Sequence, residues 1–137
     1  MKKTHVISWL ACLILTITLS VIWHVVLFEQ AYQQLGVYTR MNDPIYEFGM
    51  LAWFLESSAF VIVYFQCKWS YEGISGGLKF GLWMAVFVSA SVLIGAAAKT
   101  NISDLSLWFI LTGGFLALHF SLMGVALGII NSHRREH

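Results

Sequence analysis

Residues 49–66 read GMLAWFLESSAFVIVYFQ, a stretch that is apolar enough to cross a lipid bilayer and yet carries one carboxylate, Glu56, near its middle. Small or short residues recur along it at intervals of three and four, which places them on one face of a helix together with the acid. That face comprises Gly49, Ala52, Glu56, Ala59, Val63 and Gln66. Because small residues let membrane helices approach closely, we expect this face to pack against protein and to bury the carboxylate there.

The composition predicts a membrane protein. The chain has 137 residues, of which 58% are hydrophobic and 11% are charged, and its mean hydropathy is +0.74. Soluble domains carry about 25% charged residues. Four apolar runs, each long enough to cross a bilayer as a helix, cover 6–28, 45–67, 78–98 and 105–130. We therefore predict a single all-α domain over residues 1–137, an integral membrane four-helix bundle whose first span is not cleaved.

The basic residues predict the orientation, because loops that stay in the cytoplasm carry the excess of Lys and Arg. Two of them, Arg40 and Lys99, fall on one side of the predicted spans. On the other side lie Lys2, Lys3, Lys68, Lys79, Arg134 and Arg135. Both termini are therefore expected in the cytoplasm of a bacterial inner membrane. The net charge of +1 gives no reason to expect a nucleic-acid partner.

Regularly spaced small residues predict the contacts between helices. The candidate packing positions in spans three and four are Gly77, Gly81, Ala85, Gly114, Ala117, Gly124 and Gly128. Shifted by 65 residues, the pattern of spans one and two falls on this one, so that residue 56 coincides with residue 121. The coincidence fits two parallel copies of one helical hairpin. It also fits unrelated helices, since small residues are common wherever membrane helices pack.

Residue types also predict two helix ends. Gly36 follows a helical stretch that continues span one, and glycine is a common C-terminal stop. Ser103 lies just before span four, where its hydroxyl could accept a hydrogen bond from the first turn. We therefore expect one helix to end at Gly36 and span four to be capped by Ser103.

Glu56 is the first candidate for chemistry, because an ionisable group at the centre of a span is costly. Thr16, Ser20 and Ser121 lie at a similar predicted depth and on predicted packing faces, which makes them its expected partners. Two interpretations remain open. Glu56 could be an acid that only joins helices through hydrogen bonds, or an acid that takes up and releases a proton during transport.

Histidines form a second candidate site. His119 shares a helix face with Thr112, nearly opposite the small residues of span four. Unless span four uses this face inside the bundle, His119 is expected to meet lipid or a neighbouring subunit. His24 lies about 10 Å further out along span one, so the two histidines are not expected to share a metal or haem, whose axial ligands flank one iron. We predict no metal, no cofactor and no enzymatic activity, because metal, phosphate and nucleophile motifs are missing from the sequence.

The sequence Trp23-His24-x-x-x-Phe28-x-x-x-Tyr32-x-x-Leu35-Gly36 resembles the end of the first span in a group of small four-span bacterial membrane proteins known only as a domain of unknown function. The glycine-rich stretch 76–82 and the small residues that end span four are similar as well. His24 stands where an aromatic residue is usual in that group. The resemblance implies an inner-membrane four-helix protein and supplies no activity.

These observations predict a structural or accessory subunit of a homo-oligomer or of a larger membrane complex. The alternative is a proton-coupled transporter of a small solute that uses Glu56 as its carrier. Small multidrug transporters are similar in size and in having one membrane carboxylate, but theirs lies in the first span and that of this chain in the second. A third interpretation, a redox subunit that binds a cofactor, has no motif in its favour.

Overall fold

Four long helices organise the chain in the computed structural model, which describes residues 3–40 and 42–132, and all four are long and apolar enough to cross a membrane. Their bounds are Lys3–Leu27 for span one, Tyr46–Gln66 for span two, Gly73–Lys99 for span three and Leu105–Ile130 for span four. Span three begins five residues before the predicted start at residue 78, and the other bounds lie within three residues of the prediction. A short helix, Glu29–Leu35, follows span one.

Both ends of the described chain lie at one end of the bundle, which we call the terminal end; the opposite end is the distal end. The Asn131 amide donates to the Ser8 hydroxyl over 3.3 Å, and the His5 ring stacks on Phe65 with 3.9 Å between centroids. Span one therefore starts where spans two and four finish. Of the basic residues used to predict orientation, Lys2, Arg134 and Arg135 lie outside the described residues.

Spans three and four cross with their backbones in contact. A Cβ atom added to Gly77 would overlap the carbonyl oxygen of Gly124, and one added to Gly124 would overlap the carbonyl oxygen of Gly77. Gly81 meets the Phe120 carbonyl in the same way. This contact needs residues without side chains, as the fourth-residue spacing predicts, and it extends toward the terminal end to Gly128.

The other small positions of this pair lie outside the close contact. Ala85 is buried, but Gly114 and Ala117 are exposed. Toward the distal end the two helices diverge and leave an open apolar cleft of about 400 Å³, which Ala85 and Ala117 help to line. The prediction that Gly114 and Ala117 form a tight helix contact is therefore wrong, because Ala117 lines the cleft and a Cβ atom added to Gly114 would have only the Trp23 ring of span one within 4 Å.

Span two packs through a face that differs from the predicted one. Its buried residues are Ser57, Phe60, Val61 and Tyr64, whereas Ala52, Ala59, Val63 and Gln66 are exposed. The aromatic rings explain the difference, because Phe60 lies 4.8 Å from Phe80 and 5.6 Å from Phe120 between ring centroids. Span two therefore contacts spans three and four through large rings and not through small residues. Its small-residue face is left on the outside of the bundle.

Two helices contain a π-helical segment, Ile22–Leu27 in span one and Ala90–Ile94 in span three. A π segment disturbs the regular pairing of backbone groups, and such segments are frequent at functional sites. In span three the carbonyl of Leu93, within the π-helical segment, accepts a hydrogen bond from the Trp108 indole over 3.1 Å. Span four is thereby joined to span three at its π-helical segment.

The distal end is closed by backbone contacts. The short helix ends at Gly36, whose φ of 72° is the left-handed conformation expected of a glycine stop, so this prediction is confirmed. The Ser103 hydroxyl donates to the carbonyl of Gln34, and the Ser103 amide donates to that of Leu35. The cap of span four is Asp104, which accepts from the Leu107 amide over 2.9 Å. The predicted Ser103 cap is wrong, because that hydroxyl already satisfies the end of the short helix.

Candidate functional site

Glu56 and His119 meet in the middle of the bundle. Glu56 is the eleventh of the 21 residues of span two, and its Oε1 atom lies 3.5 Å from Nε2 of His119 on span four. The two side chains differ in their surroundings, since 2% of His119 is exposed and 33% of Glu56. The carboxylate therefore reaches inward from the outer flank of span two, and only part of it is covered by the chain itself.

Two hydroxyl groups and a thioether complete this site. We call it the polar centre and define it as Thr16, Glu56, Ser57, His119 and Met123. Thr16 Oγ1 lies 3.1 Å from Nε2 of His119 and 3.5 Å from the sulfur of Met123. Ser57 donates to Thr16 over 3.4 Å. If Thr16 gives its hydrogen to Met123, then Nε2 of His119 donates toward both Thr16 and Glu56. Spans one, two and four are thus joined at one depth by polar contacts.

His119 occupies a position that contradicts the prediction from helical periodicity. It was expected to meet lipid or a neighbouring subunit, but it is buried inside the bundle, stacked on Phe120 with 5.0 Å between ring centroids. The reason is that span four is the central helix. Its glycine face packs on span three around Gly124 and its opposite face packs on span one, so His119 lies between helices and does not face lipid.

The predicted partners of Glu56 divide into one that joins the polar centre and two that lie elsewhere. Thr16 reaches Glu56 through His119. Ser20 contacts Nδ1 of His24 through its carbonyl oxygen, over 3.2 Å. Ser121 lies at the crossing of spans three and four, where its Cα is among the atoms nearest to Gly81. Among the described residues no hydrogen bond joins Ser20 or Ser121 to Glu56.

His24 and Thr112 lie toward the distal end in a separate aromatic cluster. The His24 ring stacks on Tyr32 with 4.7 Å between centroids, and the Tyr32 hydroxyl lies 3.4 Å from that of Thr112. Thr112 is 2% exposed, so it faces protein within its own chain. Burial raises the pKa of the Tyr32 phenol, and the hydrogen bond with Thr112 offsets part of that shift.

A phenylalanine ring connects the two histidines. Phe115 lies 4.6 Å from His24 and 5.0 Å from His119 between ring centroids. Within residues 3–40 and 42–132, no group of three or more His, Cys, Asp or Glu side chains is placed to hold a metal ion. Nδ1 of His119 is buried and has no hydrogen-bond partner among the described residues. In this arrangement a proton can be bound either by the Glu56 carboxylate or by the His119 imidazole.

Sequence reasoning missed Ser57 and Met123. Ser57 belongs to the buried set 57, 60, 61 and 64, whose spacing of three and four is itself a helical face. This spacing is visible in the sequence, but the small residues on the neighbouring face are the stronger indication of a packing face. Met123 is one turn beyond His119, and an apolar residue next to other apolar residues carried no signal of a polar contact.

Comparisons with protein-family models, with curated proteins and with solved structures find no significant match to this chain. The resemblance to four-span proteins of unknown function therefore stays a prediction.

Proposed function

We propose that this protein is an integral protein of the bacterial inner membrane, with both termini in the cytoplasm, and that it serves as a structural or accessory subunit of an oligomer or a larger membrane complex. No enzymatic activity, cofactor or nucleic-acid partner belongs to this proposal. The distribution of basic residues along the sequence supports the orientation. Only Arg40 and Lys99 belong to the predicted outer side, whereas the predicted cytoplasmic side has Lys2, Lys3, Lys68, Lys79, Arg134 and Arg135.

The position of Glu56 carries the proposal. Its side chain is one-third exposed at the centre of a span, and a carboxyl group facing acyl chains costs about 2.5 to 3.5 kcal/mol on the insertion scale for Asp. The residues one turn away on each side, Ala52 and Ala59, are small and exposed. A helix of another chain could approach closely along this face, and its contact would remove the remaining exposed part of the carboxylate from lipid.

Cysteine cross-linking in native membranes tests this proposal. The background is Cys12→Ala with Cys67→Ser, and the test variant adds Ala59→Cys, one turn from Glu56 on the exposed face. The control adds Val86→Cys, which lies at mid-span on span three and is 63% exposed in the wild type. We expect oxidation to link Ala59→Cys to a second chain and to leave Val86→Cys monomeric. A monomer with both variants, and a monomeric wild type in lipid nanodiscs, would refute the homo-oligomer.

A parallel repeat of two hairpins belongs to the same proposal. The fourth-residue stripes of spans one and three support it, since both are buried in the half nearest the terminal end. They comprise Ser8, Cys12 and Thr16 in span one and Gly73, Gly77, Gly81 and Ala85 in span three. Superposition of the two hairpins in an experimental structure tests the repeat, and divergent crossing angles would contradict it.

The second candidate is a proton-coupled transporter, and the contact between Glu56 and His119 favours it. Two groups that each bind a proton, 3.5 Å apart at mid-span, can exchange that proton without a large rearrangement. Glu56→Gln separates the candidates, because glutamine keeps the hydrogen-bonding shape but cannot release a proton in this range. A subunit would still assemble and support its complex, whereas a transporter would lose proton coupling in vesicles with an imposed pH gradient.

A further inference from the structure

A groove runs between spans one and two on the outside of the bundle. It has a volume of about 380 Å³ and is lined by His5, Trp9, Phe54, Ser58, Val61 and Ile62. His5 lies near the start of span one and Phe54 near the middle of span two. The groove therefore extends from the terminal end to about mid-span, which is the depth range of one leaflet.

The walls of the groove suit a hydrocarbon chain. The Trp9 indole donates to the Ser58 hydroxyl over 3.0 Å, and Ser58 donates to the carbonyl of Phe54 over 2.7 Å, so these polar groups are already paired within the wall. The rings of Trp9 and Phe54 meet edge to face, 5.5 Å apart. The surface left for an occupant is aromatic and branched aliphatic, which favours methylene groups over a polar solute.

Positive charge lies at the open end of the groove. Lys3 comes two residues before His5, and Lys68 comes three residues after Phe65, the ring on which His5 stacks. Both lysines are exposed, and neither forms an ion pair with the part of the chain that the structure describes. Lys79 differs, because its ammonium group lies 2.8 Å from the carboxylate of Glu72.

We propose that this groove binds an anionic phospholipid, with one acyl chain between spans one and two and the phosphate between Lys3 and Lys68. The proposal uses the membrane insertion proposed above and does not need a partner chain. Clusters of basic residues beside membrane helices attract anionic headgroups, and here an apolar groove starts at the same place. Charge and shape together select an anionic lipid over a zwitterionic one with the same chains.

Native mass spectrometry of the full chain in detergent tests the proposal, with phosphatidylglycerol or phosphatidylcholine of matched chains added. We expect the anionic lipid to bind at least tenfold more tightly to the wild type. Lys68→Gln should reduce this preference about fivefold, the effect of one basic residue near a charged surface. Lys79→Gln, which removes a lysine already paired with Glu72, should change it less than twofold.

A second pair of variants tests the groove itself. Ile62→Trp should fill the groove and abolish binding of the anionic lipid. Ile110→Trp, at a residue similarly exposed on span four, should leave lipid binding unchanged. The proposed lipid site would be refuted if the two lipids bound equally well. It would also be refuted if the two lysine variants, or the two tryptophan variants, had equal effects. Flotation of the reconstituted wild type with vesicles tests membrane insertion separately.

Discussion

Replacing Gly77 by alanine should separate spans three and four. A Cβ atom at this position would overlap the carbonyl oxygen of Gly124 and approach the amide nitrogen of Gly128 to 3.0 Å. Both are backbone atoms, so no side chain can rotate aside to make room. The two helices must therefore move apart until ordinary contact distances return.

The size of the effect follows from that movement. Ordinary van der Waals contact begins near 3.4 Å, so the helices must separate by more than about 1 Å, which forfeits roughly half or more of the dispersion energy of each atom pair along the crossing. In lipid this packing is a main source of helix association. Over-packed sites lose about 1–3 kcal/mol, and we expect Gly77→Ala to lose about 3 kcal/mol of unfolding free energy because only backbone is in contact.

The assay is unfolding in mixed micelles, followed by far-ultraviolet circular dichroism. Gly49→Ala is the matched control, because a Cβ atom there has no atom within 4 Å, and its unfolding free energy should change by no more than about 0.5 kcal/mol. If Gly77→Ala were as stable as Gly49→Ala, the backbone contact between spans three and four would not exist as described.

Three further predictions concern the distal end. Asp104→Ala removes the cap of span four and should lower the unfolding free energy by about 1 kcal/mol; an unchanged value in the same assay would contradict the cap. Trp108→Phe leaves the Leu93 carbonyl without its donor and should speed hydrogen exchange in residues 90–94; unchanged exchange would contradict that hydrogen bond. Burial raises the pKa of Tyr32, so the neutral phenol contributes stability that is lost as pH rises above its ordinary value of about 10. Tyr32→Phe should lose less unfolding free energy than the wild type between about pH 9 and 11, and equal losses would contradict the buried position.

The four spans could be predicted because length and hydropathy decide them with little help from tertiary structure. The close contact at Gly77 and Gly124 could also be predicted, since backbone contact between membrane helices requires glycine at regular spacing. The divergence of the same helices toward Gly114 could not, because a crossing angle depends on all residues of an interface. Spacing alone therefore identifies a contact but does not show how far it extends.

The candidate site shows where helical periodicity stops being informative. Periodicity predicts an outward-facing His119 because it assumes that a helix has one buried face, whereas span four has two. On span two, small residues competed with large rings for the packing face, and the rings of Phe60 and Tyr64 determine it. Glu56 lies on the small-residue face at the edge next to the aromatic face, and for this reason it reaches His119 while remaining partly exposed.

A double-mutant cycle between Glu56 and His119 tests the polar centre most directly. Unfolding free energies of Glu56→Ala, His119→Ala and the double variant give the coupling between the two side chains without any assumption about function. We expect a coupling between about 0.6 kcal/mol, the average found for polar contacts between membrane helices, and about 1.7 kcal/mol, the largest value found. A coupling of zero would show that the carboxylate does not reach the imidazole, and the polar centre and the transporter candidate would lose their basis.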